Sequence, residues 1–274
     1  MTDKTYKLLV VDIDGTLLNK NGTISSVDKE ALSRVAAAGI PIVISTGRVM
    51  NACKDILKQL SLEGNHIFFD GALVINPGNG TEIYTRPIDQ ELVRQMIEFA
   101  DLNEITVDFY TSDRYFVGRE TWESDIRRDF YKTYPNVVNL NDFWQKERVI
   151  KATITVRSPV EKSGANDFYT HFQDTLGFSW TKTPAYPEVD FINVLAPDVS
   201  KGKALAALAV HLGITLDEVV AIGDGTNDIS LLSRAGLAIA MDNASDELKA
   251  VADHVTLDVD HNGVAAAINK FLCR

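Results

Sequence analysis

Four aspartates, Asp12, Asp14, Asp224 and Asp228, stand in two short polar clusters, Val11-Asp12-Ile13-Asp14-Gly15-Thr16 and Gly223-Asp224-Gly225-Thr226-Asn227-Asp228. Brought together, such groups repel: two unit charges about 4 Å apart oppose each other by about 4 kcal/mol at an effective dielectric near 20. Four acids in one place cannot all stay ionised without compensation, and a divalent cation is the economical answer. The ligands would be oxygen only, with no histidine or cysteine nearby, which favours Mg²⁺ over Zn²⁺. Taken singly, each aspartate is also an ordinary helix cap or turn former; that reading does not account for the set.

Asp12 and Asp14 are spaced i and i+2, so in an extended segment they face the same side. One can attack as a nucleophile while the other donates a proton, provided their surroundings drive their pKa values apart. Gly15 permits a sharp turn out of the strand. In Ser45-Thr46-Gly47-Arg48, the Thr46 hydroxyl and the Gly47 amide can cradle phosphate oxygens, although an ordinary turn has the same composition. Lys201, in Ser200-Lys201-Gly202-Lys203, is a point charge able to neutralise a phosphoryl group; standing alone it would read as solvated surface.

These clusters need elements to position them. Lys7 to Val11, Ile40 to Ile44 and His66 to Phe69 are short buried runs, with helices expected after Ser25-Ser26-Val27-Asp28, a capped start that buries Ala31, Leu32 and Val35, and over 49–60. The last third repeats the pattern. Helices are expected over 201–212, 226–232, 245–251 and 264–271, and strands over 218–222 and 236–240. Apolar strands alternating with helices predict an α/β fold, a doubly wound, Rossmann-like parallel sheet covered on both faces. In such sheets ligands bind beyond the carboxyl ends of the strands, where the clusters fall.

The middle differs. Eighteen of the 23 aromatic residues, including all three tryptophans, lie between Arg86 and Phe191. Strands at 105–110, 115–118 and 149–157 look amphipathic, and helices are expected at 90–102 and 162–176. This predicts a sheet with one helix-covered face: an inserted α+β domain over 86–191, within a core built from 1–85 and 192–274. Gly78-Asn79-Gly80 lacks the spacing of a dinucleotide fingerprint and reads as a hairpin turn.

Composition narrows the function classes. The 274 residues are 45% hydrophobic and carry a formal net charge of -11. That surface repels nucleic acid and anionic lipid, so neither is an expected partner, and an anionic small molecule needs a local cation to receive it. No apolar run approaches the roughly 18 residues of a membrane helix. The N-terminus is unlike a signal peptide. Cys53 and Cys273 form neither a disulfide framework nor a thiolate metal site. A cytoplasmic protein with reduced thiols is expected.

Asp12-Ile13-Asp14-Gly15-Thr16 resembles the first motif of the haloacid dehalogenase (HAD) superfamily, and Ser45-Thr46-Gly47-Arg48, Lys201-Gly202-Lys203 and Gly223-Asp224-Gly225-Thr226-Asn227-Asp228 resemble its second to fourth. The inserted middle resembles the large α/β cap of the Cof-type branch, placed between the second and third motifs. The resemblance implies a Mg²⁺-dependent phosphatase of small phosphorylated metabolites, such as sugar phosphates, working through an aspartyl-phosphate. It makes Asp12 the nucleophile and a metal ligand. Asp14 is the general acid and then base, with its backbone carbonyl on the metal. Thr46, Gly47, Lys201 and Asn227 hold the phosphoryl oxygens, Asp224 completes the protein ligands of Mg²⁺, and Asp228 orients Lys201 or a metal-bound water. The second Asp favours a phosphatase over a dehalogenase, which needs no acid for its leaving group.

A phosphomutase or phosphotransferase of the same superfamily is the alternative, and a non-catalytic phosphometabolite-binding regulator a further one. Two features depart from the family or stay open. Asp70-Gly71-Ala72 stands where the family often has Asn-Gly-Ala. Arg48 either approaches substrate or pairs with a core acid. The five histidines are expected to be structural or surface residues, and Tyr110, Arg114 and Tyr186 are polar-tipped candidates for a pocket in the inserted domain.

Overall fold

A computed structural model describes residues 5–131, 134–183 and 186–272. Contacts divide the chain into two compact units. One comprises the chain up to Arg48, Cys53–Tyr84 and everything from Ser200; the other comprises Val49–Ala52 and Thr85–Val199.

The first unit is built on a five-stranded parallel sheet in the order His254–Val255, Leu237–Ala240, Val219–Gly223, Leu8–Val11, Ile42–Ile44. Leu8–Val11 is central, with Leu9 facing Val220 on one side and Ile42 on the other. All four of its residues are buried, as a parallel strand covered on both faces requires. The helix Ser26–Ala37 starts at a Ser25 cap and buries Ala31, Leu32 and Val35 as expected. Its buried Asp28 accepts from the Ala265 amide at 2.8 Å, which ties it to the closing helix Gly263–Phe271. His66–Phe68, Leu73–Asn76 and Thr81–Thr85 form a separate three-stranded sheet, and the expected turn at Gly78-Asn79-Gly80 joins its last two strands.

Some elements are shorter or broken relative to expectation. Met50–Cys53 is a 3₁₀ turn and only Lys54–Gln59 is α-helical, with no side-chain cap at Cys53. Likewise Thr226–Asp228 is a 3₁₀ turn ahead of the α-helix Ile229–Leu232. Cys53 is a buried free thiol, whereas Cys273 lies outside the described residues.

The second unit holds a six-stranded sheet in the order Gly177–Thr183, Tyr186–Leu195, Lys151–Val156, Asp108–Tyr110, Tyr115–Val117, Asn136–Val137, antiparallel apart from its last pair. One face packs Ala152, Ile154, Val156, Ile192 and Val194 against the helices Gln90–Leu102 and Pro159–Phe172. The latter begins earlier than expected because Ser158 and Glu161 form a capping box around Pro159. The opposite face alternates to Lys151, Thr153 and Thr155, and these polar residues are buried as well. A helix the sequence did not suggest, Trp122–Tyr131, contributes Ile126 and Arg127 to that face.

The expected boundary at 191/192 also moves. Tyr186–Leu195 is an inner strand paired on both sides, so the chain remains with the second unit as far as Val199.

Candidate active site

The carboxyl ends of the parallel strands bring the clusters of the first unit together. Asp12 follows Val11 directly and is 6% exposed. Its Oδ1 accepts a hydrogen bond from Lys201 Nζ at 2.5 Å, and the same ammonium donates to Asp228 Oδ1 at 2.6 Å. Lys201 is the first residue of the helix Lys201–Leu212, whose cap, Ser200, accepts from the Lys203 amide. The helix start therefore delivers a wholly buried ammonium between two carboxylates from distant parts of the chain.

The Gly223–Asp228 turn folds around the other end of Asp228. Its Oδ2 accepts from the amides of Asp224 and Gly225, both at 3.1 Å. Asp224 is held from two sides, with Thr16 Oγ1 donating to its Oδ1 at 2.7 Å and Asn243 Nδ2 lying 3.3 Å from its Oδ2. Asn243 Nδ2 also donates to the Gly15 carbonyl at 2.9 Å. Gly15 has φ +82°, and a Cβ there would lie 2.1 Å from Asp224 Oδ2, so both the backbone angle and the space require glycine.

Carboxylate oxygens of Asp12, Asp224 and Asp228 lie within 4.8 Å of one another. One lysine does not balance three such acids. Burial raises Asp12 well above the usual carboxylate range, against the pull of Lys201, and Asp228, Asp14 and Asp224 push it further. Burial likewise lifts Asp224 to about 6, opposed by the Thr16 hydrogen bond. Burial disfavours the Lys201 ammonium, but Asp12, Asp228 and Asp70 outweigh it and raise its pKa. An all-oxygen donor set with excess negative charge fits a hard divalent cation such as Mg²⁺.

Asp14 does not join the cluster. The chain bends at Ile13, whose carbonyl accepts from the amides of Leu17 and Leu18, and the Asp14 side chain emerges at the rim, 56% exposed. The strand itself ends at Val11, so the extended spacing that sets i and i+2 on one side does not run through Asp14, although the charge of Asp14 still acts on Asp12 and Asp224. Arg48 grips Asp14 through both oxygens, Nε to Oδ2 at 2.8 Å and Nη2 to Oδ1 at 2.5 Å. This resolves the two readings of Arg48 in favour of pairing with an acid.

Thr46 is buried, with Oγ1 accepting from the Arg48 amide at 3.1 Å; Gly47 is half-buried. Asn227 is exposed, and its Nδ2 donates to Asp70 Oδ1 at 2.8 Å. His66 is fully buried, its Nδ1 accepting from the Ile44 amide, and burial lowers its pKa to about 4. In the second unit, Tyr110 is buried, Arg114 pairs with Glu147, and the Tyr186 hydroxyl donates to Asp129. Sequence reasoning missed Asn243. It follows the strand Leu237–Ala240, a further strand end in the same sheet, and that position is the signal that could have found it.

Over residues 9–268 the chain matches the profile of a family described as haloacid dehalogenase-like hydrolase. It is 31% identical over 287 residues to the Bacillus subtilis protein named 5-amino-6-(5-phospho-D-ribitylamino)uracil phosphatase YwtE, covering 97% of this chain and 98% of that one. A solved structure described as the HAD subclass IIB sugar phosphatase BT4131 matches with a TM-score of 0.78 at 28% identity, covering 98% of this chain and 100% of that one. A similarity to the Arabidopsis thaliana protein named Endoribonuclease YBEY, chloroplastic, 27% identical over 97% of this chain, takes up only 46% of that longer protein.

Proposed function

The chain belongs to the haloacid dehalogenase-like hydrolase family, and from that premise we propose that it is a Mg²⁺-dependent phosphomonoester hydrolase acting on small phosphorylated metabolites through an aspartyl-phosphate on Asp12. The observation that carries the reading is the gathering of Asp12, Asp224 and Asp228 around one buried lysine. Lys201 engages Oδ1 of Asp12, and among the described residues no hydrogen bond reaches Oδ2. One oxygen of a fixed carboxylate is thus left to attack phosphorus.

Mg²⁺, bound by Asp12, Asp224 and the Asp14 carbonyl, supplies neutralising charge for the phosphoryl oxygens. The chain's own groups do the rest. Thr46, the Gly47 amide, Lys201 and Asn227 orient the phosphoryl group, and Asp228 holds Lys201 in place. Asp12 displaces the leaving alkoxide while Asp14 gives it a proton. Asp14, now ionised, takes a proton from water as the water attacks the phosphorylated Asp12, releasing inorganic phosphate, returning Asp12 to its carboxylate and Asp14 to its protonated form. Positioning and charge neutralisation dominate such transfers. Arg48 holds Asp14 at the rim while it is ionised; Asp14 carries its proton for the leaving group once that pair has opened.

We assign substrate selection to the second unit, as a cap domain. Sugar phosphates are the favoured substrate class, in keeping with the sugar phosphatase and the phosphoribitylamino-uracil phosphatase among its relatives. Among the described residues no helix is long and apolar enough to cross a membrane. The net charge of -11 weighs against nucleic acid and anionic lipid as partners, and we assign the enzyme to small-molecule chemistry in the cytoplasm.

The test is phosphate release from p-nitrophenyl phosphate and from a panel of phosphorylated metabolites, with Mg²⁺ and with EDTA. Release that needs Mg²⁺ supports the reading. An isomerised sugar phosphate without release would support the phosphotransferase alternative, and no turnover of any ester would end both.

A further inference from the structure

The loop Phe69-Asp70-Gly71 carries three successive left-handed residues, with φ of 53°, 55° and 98°. Two of them are not glycine, and such backbone persists only where its surroundings over-determine it. Here the Phe69 amide donates to the Arg48 carbonyl and the Asp70 amide to the Thr46 carbonyl, both at 3.1 Å. The loop is thereby clamped onto the turn that carries Thr46 and Gly47.

The clamp sets one side chain in a particular place. Asp70 Oδ1 accepts from Asn227 Nδ2 at 2.8 Å. The same oxygen lies so close to Gly47 that a Cβ there would come within 2.7 Å of it. Asp70 also contributes to the raised pKa of Lys201. A carboxylate therefore stands among Gly47, Asn227 and Lys201, the groups assigned above to the phosphoryl oxygens. It donates nothing to a phosphate and repels it.

We propose that Asp70 is a specificity-determining and positioning residue that keeps the affinity of this site for the phosphate dianion low while holding the Asn227 amide in orientation. The inference rests on the phosphatase reading. A site that grips phosphate weakly by itself must draw its binding from the leaving group, which sharpens selection among esters and limits inhibition by free phosphate. The repulsion acts on substrate and product alike, so it appears in binding more than in kcat.

The experiment measures competitive inhibition by inorganic phosphate, with KM and kcat for p-nitrophenyl phosphate, in the Mg²⁺-loaded wild type, Asp70→Asn and Asp70→Ala. Asn removes the charge, keeps an acceptor for Asn227 and tolerates the left-handed backbone. Asp70→Asn should lower the inhibition constant of phosphate about tenfold and KM in step, with kcat changing by less than about threefold. Asp70→Ala should fall between wild type and Asp70→Asn, because Asn227 loses its partner. An unchanged or raised inhibition constant in a folded Asp70→Asn overturns the proposal; if that variant does not fold, Asp70→Ser replaces it under the same criterion. A wild type that neither hydrolyses esters nor binds phosphate would instead overturn the phosphatase reading, and that failure shows before any variant is made.

Discussion

Each unit buries a cluster of charges at its sheet, and the two clusters are balanced differently. In the first unit, Asp12, Asp224 and Asp228 face one lysine. In the second, Asp108 meets Arg127 at 3.0 Å, and Arg127 also donates to Thr155 Oγ1 at 2.6 Å and lies over the Phe191 ring. Both residues of that pair are at most 5% exposed. The nearby Glu123 is buried, and desolvation raises its pKa to about 7, so near neutral pH it carries a proton part of the time. The second cluster closes on itself. The first retains an excess that invites a cation. Uncompensated buried charge marks the working site, and compensated buried charge marks the scaffold.

The largest expected effect tests the working side. Asp14→Asn should slow hydrolysis of alkyl phosphates about 10²- to 10⁴-fold, because a poor leaving group needs its proton. The loss should be much smaller with p-nitrophenyl phosphate; equal losses on both esters would remove Asp14 as the acid.

The scaffold side should answer in stability. Arg127→Met leaves Asp108 buried and unpaired and should cost about 3–5 kcal/mol in urea unfolding, whereas replacing Asp108 and Arg127 together with Leu and Met should be close to neutral. A double variant as unstable as the single one would mean that the pair is more than a compensated contact.

Two buried groups should give the units opposite pH responses. His66 has a folded pKa near 4 against an ordinary 6.5. The unfolded chain therefore takes up its proton first, and stability is full above 6.5 and lost as pH falls towards 4. Glu123 runs the other way: its contribution is present below 4.5 and lost as pH rises through about 7. Each is worth about 3 kcal/mol at full extent. His66→Gln should flatten the acid limb of the stability curve and Glu123→Gln the alkaline limb, both read by denaturant melts across pH.

The smallest effect is expected at the exposed pair. Arg48→Ala should change stability by less than about 1 kcal/mol, since Asp14 is 56% exposed and the pair is screened. Its mark should instead be a several-fold lower kcat on alkyl phosphates, from an acid no longer held at the rim.

Much of this was legible in the sequence where chemistry and local pattern coincide. Asp12, Thr46 and Asp224 each follow a short apolar run, and a parallel sheet carries such strand ends to one edge. Ser25, with its acid in the first turn, marked its helix for the same local reason. What escaped depends on contacts across the chain. Asn243 stands beyond a strand end, which marks its place, but its partner Gly15 lies 228 positions away and shows in no local pattern. The helix Trp122–Tyr131 carries Glu123, Asp125, Arg127 and Arg128, so its buried face reads as polar until Arg127 is seen against Asp108. The strand Tyr186–Leu195 forms a local hairpin with Gly177–Thr183, but its place as an inner strand comes from its distant partner Lys151–Val156, which no local pattern signals. The exposure of Asp14 goes with a strand that ends at Val11, one residue before Asp12.

The most direct test of the central claim is a rapid acid quench of the Mg²⁺-loaded enzyme during turnover of a phosphate ester, followed by peptide mapping. The account predicts a phosphoryl group on the peptide containing Asp12, acid-stable and cleaved by hydroxylamine, and no such adduct or turnover in Asp12→Asn. Undiminished phosphate release by Asp12→Asn, or steady turnover with the label on another residue, would contradict it.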